Sequence, residues 1–351
     1  MPWESIDRRM SKPLILVTGG AGMVGSHVAR RAVEAGYPVR CMVRPTSRCD
    51  ALADLDVSLC KADLLDSTSL LAAVRDAEVI VHTAAKLGDW GPAEEYRAVN
   101  VEGLRNLLRA VQEEAVQQGT KLKRWVQISS LGVYPARHHQ GTDETVPADR
   151  RGFDGYTQTK AEAEVILEQT QRETGMPVVL LRPGFLYGPG DRHVVPRLVE
   201  QIAKGRMKRI GDGKKLLNNT YVGNLVDAVL LAIEREEAVG EIFNIRDARL
   251  VDRNECIDTV ARYLGKPLPG RVPEWLARAA VGWFERIAHW RGSKTAPMLT
   301  KTRIKFMTLN LDFSIQKAGQ RLGYAPQVDF QQGIRETLDW LAEEGLLEMG
   351  E

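Results

Sequence analysis

Short apolar runs of four to six residues recur along the chain, each followed by a stretch with helical periodicity. Leu14–Val17, Val39–Val43, Val57–Cys60, Glu78–His82, Arg124–Ile128 and Val178–Leu181 read as strands buried on both faces. Amphipathic stretches such as Asn100–Gln117 and Thr157–Glu173 fall between them. This alternation predicts an α/β chain with a Rossmann-type, doubly wound parallel sheet, whose ligands lie outside the carboxyl ends of the strands. Residues 13–185 would supply most of that sheet. Residues 186–351 would form a smaller C-terminal α/β substrate region, partly packed back on the first through a helix starting near Val222. The strand-like run Glu241–Ile245 is assigned to that later region. Residues 1–12 are polar, without the apolar core of a secretory signal, and are expected to be a disordered extension.

The first strand runs into Thr18-Gly19-Gly20-Ala21-Gly22-Met23-Val24-Gly25 and then into a helix-like segment. Gly19, Gly22 and Gly25 permit a tight turn, close approach of backbone to a pyrophosphate and close helix–strand packing. With Met23 and Val24 they open a helix whose N–H groups face phosphate oxygens. The spacing is that of a dinucleotide site, and no Lys-Ser/Thr follows as a phosphate loop of the nucleotide triphosphatases requires. Arg44 ends the second strand, nineteen residues after Gly25. An acidic residue there would accept the ribose 2′-hydroxyl of NAD, whereas arginine accommodates a 2′-phosphate. Arg44 and Arg48, with Thr46 and Ser47, therefore favour NADP(H). The alternative is two solvent-facing arginines and bound NAD(H).

Tyr156 and Lys160 stand four residues apart on a predicted helix, so they share a face about one turn apart. A phenol with a pKa of about 10 is a poor acid–base near neutrality, and an adjacent ammonium favours its ionised form. The other polar residues of interest all stand at strand carboxyl ends: Asp63, His82-Thr83-Ala84-Ala85, Ser129-Ser130 and Arg182-Pro183-Gly184.

Together these motifs resemble the extended short-chain dehydrogenases/reductases, the epimerase/dehydratase superfamily, from about Leu14 to Trp340. The residues that carry the likeness are the glycine motif, Asp63-Leu64, His82–Ala85, Asn100-Val101-x-Gly103, Ser129-Ser130, Tyr156-x-x-x-Lys160 and Arg182-Pro183-Gly184-x-x-Tyr187-Gly188-Pro189-Gly190. The resemblance implies that Asp63 and Leu64 border the adenine, Thr83, Ala84 and Ala85 the ribose and pyrophosphate, and Pro183 the nicotinamide. It also implies that Ser130 orients the substrate oxygen, Tyr156 exchanges the proton, Lys160 holds the nicotinamide ribose and Asn100 supports a proton relay. Ser129 is the rival for Ser130's role. Leu131-Gly132 stands where the sugar dehydratases carry an acidic pair. His82–Gly91, Asn219–Asn224, Leu299-Thr300 and Phe313–Pro326 are similar to the 3β-hydroxysteroid dehydrogenase branch, which implies a ketone or secondary alcohol on a bulky hydrophobic skeleton, steroid-like or 2-alkyl-3-ketoacyl-like. A nucleotide-sugar epimerase with tightly held NAD and a non-catalytic NADP(H)-binding regulator are the competing expectations.

Composition narrows the picture without deciding it. A net charge of +2 over 351 residues offers no general field for nucleic acid. Cys41, Cys49, Cys60 and Cys256 show no disulfide or metal spacing, which suits free thiols in a cytoplasmic protein. No eighteen-residue apolar run is present. One segment stands apart: residues 271–305 carry eight Lys/Arg against two Glu, and Leu276, Ala280, Trp283, Ile287 and Trp290 recur at helical spacing. Residues 273–291 are thus an ordinary core helix, a lid over an apolar substrate, or a peripheral membrane helix on anionic lipid. His138-His139, Gly211–Lys215 and Asp143-Glu144 read as surface loop features, with no metal site expected. A homodimer is expected by analogy alone.

Overall fold

The computed structural model describes residues 12–88, 90–119, 121–279, 304 and 307–347. Trp283, Ile287, Trp290, Leu299-Thr300 and the extension before Lys12 lie outside them. In chain order the first elements are β1 (Ile15–Thr18), α1 (Met23–Glu34), β2 (Val39–Val43), β3 (Ser58–Lys61), α2 (Ser67–Val74) and β4 (Val79–His82). Next come α3 (Ala93–Arg97), a π-helical turn (Ala98–Glu102), α4 (Gly103–Gln118), β5 (Arg124–Ile128), β6 (His139–Thr142), α5 (Gly155–Thr174) and β7 (Val178–Pro183). The later chain adds β8 (Phe185–Tyr187), α6 (Val195–Ala203), β9 (Arg209–Ile210), β10 (Asn219–Tyr221), α7 (Val222–Glu234) and β11 (Ile242–Ile245). It ends with α8 (Arg253–Tyr263), β12 (Arg271–Val272), β13 (Leu311–Phe313), α9 (Gln316–Leu322) and α10 (Phe330–Glu343).

Seven strands form one wholly parallel sheet in the order β11-β7-β5-β4-β1-β2-β3, as the alternation of runs predicts. The winding reverses at β1, so the crevice between the carboxyl ends of β1 and β4 is the switch point at which such sheets bind ligands. Successive side chains point to opposite faces. Ile15 and Val17 enter one core with Val28 and Ala29 of α1 and with Leu225 and Val229 of α7. Leu16 enters the other with Leu104 and Leu107 of α4 and Leu167 of α5. The central strands β1 and β4 are therefore apolar on consecutive residues, with Thr18 and His82 at their ends, whereas the edge strand β3 is largely exposed.

The chain beyond residue 185 returns to this sheet through α7, β11 and α9, whose Ala318 and Leu322 join the core of α1 and α7. Helix α7 packs on the face of α1, and Ile242–Ile245 pairs with β7 as the edge strand rather than staying with the later region. The remaining later elements close a third core from α6, α8 and α10 around Tyr187 and Tyr221. Asp247 is the polar hub of that region. Its buried carboxylate accepts 2.8 Å hydrogen bonds from the Tyr187 hydroxyl, the Asn219 and Asn224 amides and the Tyr221 N–H. Burial pushes its pKa up against these donors.

Two loop readings from the sequence need correction. His139 is buried in β6 and bonds Thr142 and the Pro135 carbonyl, because β13 pairs along β6 and covers it. Glu144 is partly buried, and its carboxylate accepts the backbone N–H of Asn244 on β11 at 2.7 Å. No metal-binding cluster of His, Cys, Asp or Glu occurs among the described residues.

Gly184 shows how closely β7 approaches β10: a Cβ there would stand 1.8 Å from the Asn218 carbonyl oxygen. Gly184→Ala is expected to destabilise the fold by about 3 kcal/mol or more, by overpacking against backbone that cannot yield. Urea denaturation measures this, and an unchanged midpoint would contradict the packing.

Candidate active site

The loop between β1 and α1 is shaped by glycine at two positions in particular. Gly19 has φ +68°, and a Cβ on it would press on the Ala84 backbone at 2.9 Å. A Cβ on Gly25 would lie 2.2 Å from the Gly19 carbonyl oxygen. No other residue lets α1 begin this close to the loop. Gly22 caps α1 through backbone alone, with no side chain on the first-turn N–H groups and no acidic residue in that turn. Met23 and Val24 follow at the helix start. Such a helix end accepts phosphate oxygens, so the cradle fits a dinucleotide pyrophosphate.

Across the switch point, β1 and β4 are tied by side chains. The Thr18 hydroxyl and His82 Nδ1 lie 2.8 Å apart, and Thr83 donates to the Thr18 carbonyl at 2.6 Å. Ala84 N–H reaches the Thr18 hydroxyl at 3.3 Å, so the Thr83–Ala85 segment is held against the glycine loop. Burial, and then the neighbouring Lys160, push His82 down to about 3, leaving it neutral. Asp63 stands at the end of β3, its carboxylate accepting the Leu65 N–H. Leu64 is buried against the bare face of Gly103, where a Cβ would meet it at 2.8 Å. Pro183 is buried at the end of β7, and the following Pro189 carbonyl is bonded by His27 of α1 at 2.9 Å. Arg44 is exposed at the end of β2, and Arg48 is exposed and paired with Asp50 at 2.6 Å.

Helix α5 starts with a capping box between Asp154 and Thr157, which fixes the phase of the face that follows. On that face Tyr156 and Lys160 project toward the end of β5. The Lys160 Nζ is buried and donates to the Ile128 carbonyl at 2.8 Å, and it lies 6.0 Å from the Tyr156 ring centroid. The Ser130 side chain lies near enough to the Tyr156 phenol to favour its ionised form, and its hydroxyl accepts the Gly132 N–H at 3.0 Å. Ser129 turns the other way, donating to the buried Glu164 carboxylate at 2.5 Å. Of the two serines, Ser129 is thus committed to Glu164, and Ser130 is not. Burial pushes Tyr156 up to about 12, against the pull of Ser130. Burial lowers Lys160 to about 8, opposed by Glu164.

Asn100 lies in the π-helical turn, buried, and its side chain clamps the Lys86 N–H and carbonyl at 2.7 and 3.2 Å. Its amide also donates to Thr159 on α5 at 3.0 Å, so it couples the segment after β4 to α5. Thr159, Glu164 and Arg182 carry this surrounding network, and sequence reasoning gave none of them a role. Glu164 stands one turn beyond Lys160, a spacing that could have flagged it.

The model of the NAD dependent epimerase/dehydratase family matches residues 15–245. The chain belongs to that family. It is 34% identical to a 3β-hydroxysteroid dehydrogenase/Δ5→4-isomerase of Mycobacterium tuberculosis, over 93% of this chain and 90% of that one. It is 29% identical to a 2-alkyl-3-oxoalkanoate reductase of Stenotrophomonas maltophilia, over 92% and 97%. Among solved structures, the Thermus thermophilus UDP-glucose 4-epimerase complex with NAD superposes with a TM-score of 0.71 at 25% identity, covering 94% of this chain and 99% of that one. This family member is an NAD(P)-dependent dehydrogenase or reductase.

Proposed function

We propose that the enzyme interconverts a ketone and a secondary alcohol on a bulky apolar skeleton, steroid-like or 2-alkyl-3-oxoacyl-like, with NADP(H) as the preferred cofactor. The observation that carries this reading is the convergence of Ser130, Tyr156 and Lys160 at the carboxyl edge of the sheet, beside the glycine cradle. Gly19, Gly22, Met23, Val24 and Gly25 would hold the pyrophosphate, with Asp63, Leu64, Thr83, Ala84, Ala85 and Pro183 along the rest of the cofactor. Bound there, the nicotinamide supplies or accepts the hydride. The Ser130 hydroxyl holds the substrate oxygen. The Tyr156 Oη moves a proton to or from that oxygen, and a phenol held neutral through the physiological range is ready as the acid of ketone reduction. The charged Lys160 Nζ stabilises the phenolate left behind. Asn100, which grips Lys86 and Thr159, keeps the two walls of the site in register.

Exposed Arg44 has no ion-pair partner among the described residues, which leaves its guanidinium available to a 2′-phosphate. Arg48 supports this less, because its pair with Asp50 must open first. The relatives that act on hydroxysteroids and on 2-alkyl-3-oxoalkanoates support an apolar substrate. Trp275 is 71% exposed and Leu276 46%, close in sequence to Lys266 and Arg271, which supports peripheral contact with anionic lipid. No helix among the described residues is long and apolar enough to cross a membrane.

Tyr156→Phe is expected to lower turnover by about 10²–10⁴-fold, the usual worth of a positioned general acid, while NADPH affinity stays nearly unchanged. Equal loss of both in fluorescence titration and steady-state assays would sink the assigned role. Arg44→Asp should move the NADPH-to-NADH affinity ratio about tenfold or more toward NADH, the loss of a charge-assisted hydrogen bond; an unchanged ratio would refute the charge argument. Trp275→Ser should reduce co-sedimentation with vesicles containing phosphatidylserine, and equal sedimentation of both proteins would remove the membrane contact.

A further inference from the structure

Tyr156, Lys160 and Glu164 stand at successive four-residue steps of α5, so they form one row down a single helix face. That row meets the end of β5 residue by residue. Lys160 donates to the Ile128 carbonyl at 2.8 Å, and Glu164 accepts from the Ser129 hydroxyl at 2.5 Å. The next residue, Ser130, stands beside Tyr156 and has its own hydroxyl on the Gly132 N–H at 3.0 Å. Two consecutive residues before Ser130 are thus pinned by two groups of the same helix. Ser129 is fixed further by its N–H on the Leu181 carbonyl at 2.7 Å.

Glu164 is itself held from β7. Arg182 grips it in a bidentate pair, Nε to Oε1 at 2.9 Å and Nη2 to Oε2 at 2.6 Å, with both side chains 3% exposed. The guanidinium also lies over the Tyr134 ring, 4.8 Å from its centroid. A buried ion pair of this kind adds little to stability compared with an apolar pair of the same volume, whereas breaking it is costly. Its presence at this place therefore calls for a reason other than stability.

We propose that Glu164, oriented by Arg182, is a positioning residue: it supplies the counter-charge that keeps buried Lys160 an ammonium, and through Ser129 it sets the position of Ser130. This deepens the reading of Ser130, Tyr156 and Lys160 as the reacting set and rests on it. The charged and titratable groups that face Lys160 are Tyr156 and Glu164 from its own helix, His82 from β4 and, behind Glu164, Arg182 from β7. His82 stays neutral down to about 3, so within the working range of pH Glu164 is the negative charge in that set. Burial opposes the ammonium and Glu164 favours it. Removing the carboxylate therefore moves the loss of the Lys160 proton to lower pH.

The test reads Lys160 without turnover. In apoprotein carrying ¹³C-labelled lysine, the Lys160 resonance is assigned by its loss in Lys160→Met and followed with pH. The wild-type midpoint is expected near 8. In Glu164→Gln it should fall by about one pH unit or more, the effect of losing a close opposite charge. Glu164→Asp should keep the wild-type midpoint. Because Glu164→Gln leaves a buried guanidinium unpaired, Glu164→Gln/Arg182→Met is the second variant, and its midpoint should also fall. The high-pH limb of NADPH-dependent ketone reduction should move with the resonance in each variant. A lower melting temperature with an unmoved Lys160 midpoint would overturn the proposal and leave Glu164 a structural residue. Loss of the wild-type activity limb with the resonance still titrating would instead count against Lys160 as a reacting group.

Discussion

The inner strands of the seven-stranded sheet are buried on both faces, and the placement of the site follows from that constraint. A strand covered on both sides must be apolar at consecutive positions, so polar side chains can leave it only at its ends. In a parallel sheet all carboxyl ends lie together, and there Thr18, Asp63, His82, Ser129, Ser130 and Arg182 gather into one edge. The helices that cover the sheet then decide what that edge can do. α1 delivers backbone N–H groups for an anion, and α5 delivers a phenol, an ammonium and a carboxylate in one row.

The electrostatics of that row set burial against charge. Desolvation pushes Tyr156 up and Lys160 down, so burial favours the neutral form of both groups. A neutral tyrosine is what a proton donor to a ketone needs. A neutral lysine is not what a forming phenolate needs. Glu164 restores the difference between the two, and Arg182 prevents the carboxylate from becoming an uncompensated buried charge in its own right.

Most of the fold was legible in the chain because its signals are local. Runs such as Leu14–Val17 and Glu78–His82 carry their own strand pattern, and Thr18–Gly25 carries a turn chemistry that few other sequences share. The parallel sheet and its dinucleotide cradle follow from these. What stayed hidden depends on partners distant in sequence. The edge position of Ile242–Ile245 is set by pairing with β7 some sixty residues earlier, and nothing within the run states it. His139 and Glu144 read as loop residues until β13 and β11 are brought against them. Ser130 is preferred to Ser129 for its place four residues before Tyr134, the family's arrangement; what spacing could not show is that Ser129 is taken up by Glu164. The burial around Tyr156 was hidden for a related reason: spacing shows the neighbouring ammonium but not what covers the phenol.

The central claim is direct hydride exchange between a nicotinamide and the carbinol carbon of an apolar substrate. Incubation with NADPH deuterated at C4, in each of its two stereochemical forms, and a panel of 3-ketosteroids and 2-alkyl-3-ketoacyl compounds measures it by mass spectrometry of the product. The account predicts one deuterium on the carbinol carbon from one of the two labelled forms only, with far less labelled product from Tyr156→Phe. Absence of label in any product from either form, or label that remains with a cofactor retained by the protein, would contradict it.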